Sequence, residues 1–333
     1  MKGRITFVER KPSGSVSIER VFRTVAGELP ADELEIDFDN VPYGNGIGAI
    51  LKNLLFYHCP ASDIYHITGD IHYMALRLPR KRTVLTIHDL IFLHRRSGIR
   101  RYFIKKLFLD LPVRRCERLT AVSQATKDEV VKYTGIHPDR ITVIDNPISQ
   151  RIASTEEKPF NTDRPRILHI GTALNKNLAN LITAVNGMNC TLRIIGRLDD
   201  KILAQLAADG VTYENDHELD EDQIVEEYRA ADIVSFCTTY EGFGLPILEA
   251  QAMHRPVITS DLAPMNYVAG RGAELVDPFD PKSIRDGLRR IIDHPDHRRT
   301  LIEAGADNVK RFDRKTIAAR YAEVYRGILD GLA

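Results

Sequence analysis

The chain has 333 residues, with 46 Lys and Arg balancing 46 Asp and Glu, and at roughly 100–200 residues per domain this length predicts two domains. Hydrophobic residues make up 43% and charged residues 28%, as in soluble globular chains; no run of about 20 apolar residues is present, which excludes a membrane span, and the N-terminus lacks a signal-peptide pattern. The four cysteines, Cys59, Cys116, Cys190 and Cys237, are far apart and form no C-x-x-C pair. That excludes a disulfide framework or a structural zinc site and fits a reducing cytosol.

In chain order, short β-type runs at 5–8, 34–38, 64–67, 83–87, 119–122 and 142–144 alternate with helix-length segments. This alternation predicts βαβ units and a mostly parallel sheet. Asp37-Phe-Asp39 is a D-x-D, a metal–diphosphate motif in other settings, but it ends an alternating strand and is read as strand and loop. Gly44-Asn-Gly46-Ile-Gly-Ala49 fits G-x-G-x-x-A before a helix. It follows the second strand and not the first, which argues against a dinucleotide-dependent oxidoreductase.

Residues 1–150 carry 23 basic and 17 acidic side chains, a net +6; the remainder carries 23 and 29, a net −6. Much of the excess lies in 94–118, where Arg95, Arg96, Arg100, Arg101, Lys105, Lys106, Arg114, Arg115 and Arg118 face only Asp110 and Glu117. Ile99, Tyr102, Phe103, Ile104, Leu107, Phe108 and Leu109 are interleaved with them. Two readings stay open: peripheral contact with an anionic membrane, or a solvated helix with one core-facing side. Nucleic acid is not expected as a partner, since the overall charge is neutral and no nucleic-acid motif is present.

The strand pattern restarts at 166–170, 191–195, 211–213, 233–236, 256–259 and 274–276, after a polar break at 146–162 around Asn146-Pro147. The expected domains are therefore 1–155 and 156–312, with an amphipathic helix in 313–333 packing back toward the first domain. Two doubly wound α/β domains facing across a cleft would place ligands outside the C-terminal strand ends.

The segment 233–254 reads as strand, loop and helix, and its loop is Glu241-Gly-Phe-Gly-Leu-Pro-Ile-Leu-Glu249. Gly242 and Gly244 permit a tight turn, and Pro246 suits a first helical turn. The helix N-terminus offers free N–H groups to a diphosphate. Glu241 and Glu249 can accept hydrogen bonds from sugar and ribose hydroxyls.

This segment resembles the E-x7-E signature of retaining glycosyltransferases of the GT-B fold, family 4. Gly171-Thr-Ala-Leu-Asn-Lys176 resembles that family's glycine-to-lysine phosphate segment, and Thr86-Ile-His88-Asp89 resembles its "T-x-H-D" loop. Ala121-Val-Ser123, Val143-Ile-Asp-Asn146 and Pro256-Val-Ile-Thr-Ser260 follow in the family's order. The resemblance implies two Rossmann-like domains, acceptor-side first and nucleotide-sugar-binding second. It implies retaining, metal-independent hexosyl transfer from a nucleoside-diphosphate sugar, with no cofactor; the expected donor is a GDP- or UDP-sugar and the expected acceptor a glycan or, on the basic segment alone, a lipid-linked one, in bacterial surface polysaccharide synthesis. The place would be the cytoplasm, or its membrane face. Glu241, Lys176 and His88 would be catalytic: Glu241 on donor-sugar hydroxyls, Lys176 against leaving-diphosphate charge, His88 near the transferred sugar. Glu249 would hold the ribose and the Gly244–Leu245 backbone the phosphates, with Gly242, Phe243, Gly171, Thr172, Arg197 and Gly14 completing the donor site.

Some positions depart from the family. Thr172 and Ala173 stand where a second cation is common, with Arg197 as a substitute. Asn266-Tyr267 replaces a Pro-Glu pair, and Ser13-Gly14-Ser15 a double glycine. The alternatives on the same fold are a non-catalytic nucleotide-sugar binder and a nucleotide-sugar epimerase.

Overall fold

A computed structural model describes residues 2–12, 17–44, 46–149, 151–152 and 158–332. The chain divides into two compact units, Met1–Pro147 with Phe312–Ala333, and Ile148–Arg311. The sequence pattern had put the corresponding boundaries at 155 and 312.

The first unit runs β1 (Gly3–Glu9), α1 (Ser17–Glu28), β2 (Leu34–Asn40), α2 (Ile47–Phe56), β3 (Ile64–Ile67), β4 (Thr83–Ile87), α3 (Ile91–His94), α4 (Gly98–Lys105), a π-helical turn (Lys106–Asp110), α5 (Leu111–Arg115), β5 (Arg118–Ala121), α6 (Gln124–Thr134) and β6 (Ile141–Val143). All six strands are parallel, in the order β2-β1-β3-β4-β5-β6. Every residue of β3 and β4 is buried, because helices cover both faces of such a sheet. That is why these strands read as unbroken apolar or small-residue runs.

The second unit holds β7 (Arg166–Ile170), α7 (Leu178–Val185), β8 (Thr191–Ile195), α8 (Asp200–Ala208), β9 (Tyr213–Asp216), α9 (Glu221–Ala230), β10 (Ile233–Phe236), α10 (Leu245–Ala252), β11 (Val257–Ser260), α11 (Met265–Ala269), β12 (Glu274–Val276), α12 (Pro281–Asp293) and α13 (Pro295–Asn308). Its parallel order, β12-β11-β10-β7-β8-β9, is the dinucleotide-fold order, with the reversal between β7 and β10. The strand expected at 211–213 lies at Tyr213–Asp216 instead, an exposed polar edge strand whose position is set by pairing with β8.

Helix α14 (Arg314–Leu329) belongs to the first unit. Asp313 caps it through Thr316 N, and it packs on α1 and β3. Tyr321 and Tyr325 are fully buried beneath it. Tyr325 Oη lies 2.7 Å from His66 Nδ1, His66 Nε2 lies 2.7 Å from Thr86 Oγ1, and that hydroxyl lies 2.6 Å from Thr120 Oγ1. A polar chain thus runs from α14 across β3, β4 and β5, satisfying groups that would otherwise be costly to bury. Among the described residues no helix is long and apolar enough to cross a membrane.

Burial holds two core histidines neutral, lowering His66 to about 3 and His169, in β7, to about 4. Each binds fewer protons folded than unfolded, so its stabilising share is full above about pH 6.5 and declines as pH falls toward 4. Denaturant melts at pH 7 and pH 5 should show lower stability at pH 5. Ring resonances of His66 and His169 should stay those of neutral imidazole at pH 5; a protonated ring for either would contradict this account.

Candidate active site

The reversal of strand order in the second unit sends the crossovers after β7 and β10 in opposite directions along the sheet, and folds of this kind bind ligands at the C-terminal ends of the strands beside that point. The loop after β7 starts at Gly171, with φ +97°. A Cβ there would meet the Lys176 side chain at 3.0–3.3 Å, so the lysine stem lies against the glycine backbone. A 3-10 turn, Leu174–Lys176, then leads to Asn177 in the left-handed region. Asn177 Nδ2 donates to Cys237 O at 3.0 Å and to Pro278 O at 2.7 Å, fastening the start of α7 to the loops after β10 and β12.

From this turn Lys176 Nζ donates to Glu241 Oε1 at 2.8 Å, and its ammonium sits 4.9 Å from the centre of the Phe236 ring. Asn175 Nδ2 donates to the same oxygen at 3.2 Å and to Tyr240 O at 3.0 Å, while Thr239 N donates back to Asn175 O at 2.9 Å. The two loops are therefore stitched together around one carboxylate. Sequence reasoning singled out Lys176 and Glu241 but missed Asn175; its place beside Lys176 was the only signal.

After Glu241, Gly242 and Phe243 are buried and Gly244 adopts φ +122°. A Cβ at Gly244 would press on Ile247 Cδ1 at 3.1 Å. Helix α10 begins at Leu245 with Pro246 in its first turn. Its N-terminal N–H groups carry partial positive charge suited to an anion. Glu249, half-buried one turn inside the helix, accepts 2.6 Å from Tyr228 Oη, whose side chain on α9 is fully buried. Tyr228 read as core from the sequence, and nothing there marked its hydroxyl.

Thr172 stands against the loop after β8: Gly196, at φ +142°, has room only for hydrogen, because a Cβ would lie 2.8 Å from Thr172 Cγ2. The neighbouring Arg197 pairs with Glu218, and both side chains are largely exposed. The substitute cation thus follows the glycine that packs against Thr172, but its guanidinium is held by an acidic partner. Among the described residues no three His, Cys, Asp or Glu side chains are grouped to hold a metal ion.

In the first unit the strand order reverses between β1 and β3. A pocket of about 220 Å³ opens there, between Arg10 and Lys11 after β1, Tyr43 and Gly46 after β2, and Asp70 and Tyr73 after β3, with Phe108 of the π-helical turn opposite. Arg10 is held by Glu19 at 2.6 Å and lies 3.6 Å from Asp70. Gly14 lies outside the described residues. His88, half-buried after β4, is bonded through Nε2 to Thr68 O at 2.8 Å. A carbonyl only accepts, so Nε2 carries the hydrogen and Nδ1 is the acceptor. Burial lowers the His88 pKa, outweighing that bond and the charge of Asp89, which keeps the ring neutral. The basic segment 94–118 is split over α4, the π-helical turn and α5. Its inner side buries Leu109, Pro112 and Val113, while Ile99, Tyr102, Phe103 and Leu111 stay exposed beside Arg95, Arg96 and Arg100.

Comparison with known families matches "Glycosyl transferases group 1" to residues 150–308 and "Glycosyltransferase Family 4" to residues 18–150. The chain belongs to the group 1 glycosyltransferases. The O-antigen chain mannosyltransferase RfbU of Salmonella typhimurium is 29% identical to this group 1 glycosyltransferase over 66% of the chain and 63% of its own length. The chain thus spans less than two thirds of that relative. The MMP alpha-(1->4)-mannosyltransferase of Mycolicibacterium hassiacum is 23% identical over 92% of the chain and 73% of its own length. Among solved structures, HepE of Anabaena in complex with UDP and glucose superposes with a TM-score of 0.78 at 17% identity, covering 98% of this chain and all of that one. WaaG, a glycosyltransferase involved in lipopolysaccharide biosynthesis, gives 0.73 at 16% identity, covering 97% and 99%. These likenesses establish the GT-B fold.

Replacing Gly196 by Ala should lower stability by about 1–3 kcal/mol, through the positive φ and the contact with Thr172. Thermal melts of the variant check this; an unchanged melting temperature would mean that the β7 and β8 loops do not meet as described.

Proposed function

We propose that this chain transfers a sugar from a nucleoside-diphosphate sugar, GDP- or UDP-linked, to a glycan or lipid-linked acceptor, with retention at the anomeric carbon and without a metal. One observation carries the reading: Lys176 and Glu241 lie 2.8 Å apart at the reversal point of a nucleotide-binding fold, beside the N-terminus of α10. The UDP complex of HepE supports a nucleotide-sugar donor, and the name of the O-antigen chain mannosyltransferase RfbU supports a glycan acceptor.

In this reading the diphosphate lies at the start of α10, near the Gly244–Leu245 backbone and the Lys176 ammonium. Charge develops on that diphosphate as the glycosidic bond breaks. A preorganised cation and N–H donors stabilise it more than the bound substrate, and one such donor is typically worth about 3–4 kcal/mol. Glu241, fixed by Lys176 and Asn175, receives hydrogen bonds from donor-sugar hydroxyls. Glu249 receives those of the ribose, and Gly171, Thr172 and Phe243 shape the remaining wall. The role of His88 near the transferred sugar rests on the resemblance of its loop to the family's. The exposed basic and apolar side chains of 94–118 support peripheral contact with an anionic membrane at its cytoplasmic face.

Thermal-shift titration with UDP and GDP should reveal one stabilising nucleotide, and the shift should persist with chelator; at roughly 100-fold excess over Kd it amounts to about 2.7 kcal/mol. Glu241→Ala should abolish sugar transfer while leaving a cooperative melt. Wild-type transfer by that variant, or a shift abolished by chelator, would overturn this mechanism. Nucleotide binding with no transfer to any acceptor would favour the binder or epimerase.

A further inference from the structure

Helix α2 is apolar on both its inner and its outer side. Inward, the fully buried Asn53 donates to Tyr43 O at 2.9 Å and Tyr73 Oη at 2.8 Å, locking the helix onto the unit. Outward, Ile47, Leu51 and Leu55 recur every fourth residue with Phe56 beside them, and these side chains are 80%, 53%, 64% and 62% exposed. The helix contains no acidic residue, and its only charge is Lys52. An exposed apolar row of this kind marks an interaction surface.

The charge of the chain on either side of it in sequence points to what covers it. From residue 42 to residue 118 the sequence has 14 Lys and Arg against five Asp and Glu. Ile50 of α2 and Phe108 of the π-helical turn line the same pocket, so the helix that carries the apolar row and the turn inside the basic segment border one opening. Apolar side chains set among cations match the interface of an anionic bilayer, where the former enter the acyl region and the latter meet phosphates. We propose that α2 is the apolar anchor that seats the first unit on an anionic membrane, with Ile47, Leu51, Leu55 and Phe56 inserted and Lys52 at the headgroups. The pocket then opens at the lipid surface, where a lipid-linked acceptor presents its sugar. This rests on the peripheral contact assigned to 94–118 and names the element that anchors it.

The test is co-sedimentation with vesicles of phosphatidylglycerol and phosphatidylcholine, compared with phosphatidylcholine alone. Wild type, Leu51→Ser/Leu55→Ser and Arg95→Ala/Arg96→Ala/Arg100→Ala are measured, with melts as folding controls. Wild type should bind the anionic vesicles, and the serine variant should bind about tenfold more weakly or worse with an unchanged melt. Equal binding by the serine variant, with loss only in the alanine variant, overturns the α2 anchor and leaves the basic segment standing. No binding by wild type overturns both. A wild-type dimer that the serine substitutions dissociate, without vesicle binding, would make the row a self-interface and also overturn the proposal.

A separate observation points to Glu249. Its Oε2 accepts the 2.6 Å hydrogen bond of Tyr228, a side chain immobilised by complete burial. The geometry assigns Tyr228 as a positioning residue that holds the Glu249 carboxylate for the ribose, and so rests on the ribose role of Glu249. Binding of UDP and GDP is compared with that of their 2′,3′-dideoxy analogues in wild type, Tyr228→Phe and Glu249→Gln. Phenylalanine keeps the ring and removes only the hydroxyl. Tyr228→Phe should cut the preference for ribose over dideoxyribose by roughly tenfold, in line with a hydrogen bond to a charged group. A preference unchanged in Tyr228→Phe but lost in Glu249→Gln overturns the positioning role alone. A preference unchanged in both overturns the ribose role of Glu249 as well.

Discussion

The second unit depends on one constraint: β7 and β10 are neighbours in the sheet although two strands, β8 and β9, and three helices, α7, α8 and α9, separate them in sequence. Only this adjacency lets a turn after β7 and a loop after β10 share a carboxylate. Lys176, Asn175 and Glu241 form the junction, Asn177 secures it from below, and Gly171 and Gly244 permit it by lacking side chains. A half-buried carboxylate held by an ammonium and an amide loses little orientational freedom on meeting a sugar, because its position is already established.

The first unit solves the same topological problem with different chemistry. Its reversal point, between β1 and β3, carries the aromatic rings of Tyr43, Tyr73 and Phe108 and an Arg10–Glu19–Asp70 cluster, where the second unit has a lysine paired with a glutamate. The C-terminal helix α14 is integral to the first unit, since Tyr325 and His66 satisfy each other inside its core. Its removal would leave buried polar groups without partners, a larger loss than the apolar area alone.

Much of the architecture was legible in the sequence. Parallel strands buried on both faces are mostly apolar, so runs such as 64–67 and 233–236 were recognisable despite His66 and Ser235, and the E-x7-E segment announced its strand, loop and helix. The edge strand β9 was misplaced because Tyr213-Glu-Asn-Asp216 is polar and exposed, and only its pairing with β8 defines it. The apolar row of α2 was also hidden. A helix with hydrophobic residues on every side reads as buried, and periodicity cannot say which side meets water.

By itself the sequence determined two α/β units, the tight glycine turn at 242–244, and Glu241, Glu249, Lys176 and His88 as the groups to watch. These follow from local chemistry: residue type, spacing and turn preference act within a few positions along the chain. Tertiary structure alone decided that Asn175 shares Glu241 with Lys176, that Tyr228 grips Glu249, that Arg197 turns to Glu218, and that α2 shows an apolar face to its surroundings. Each of these joins residues from 21 to 66 positions apart or turns on which side of a helix is left uncovered. Such pairings are set by strand order and packing, and no local pattern encodes them.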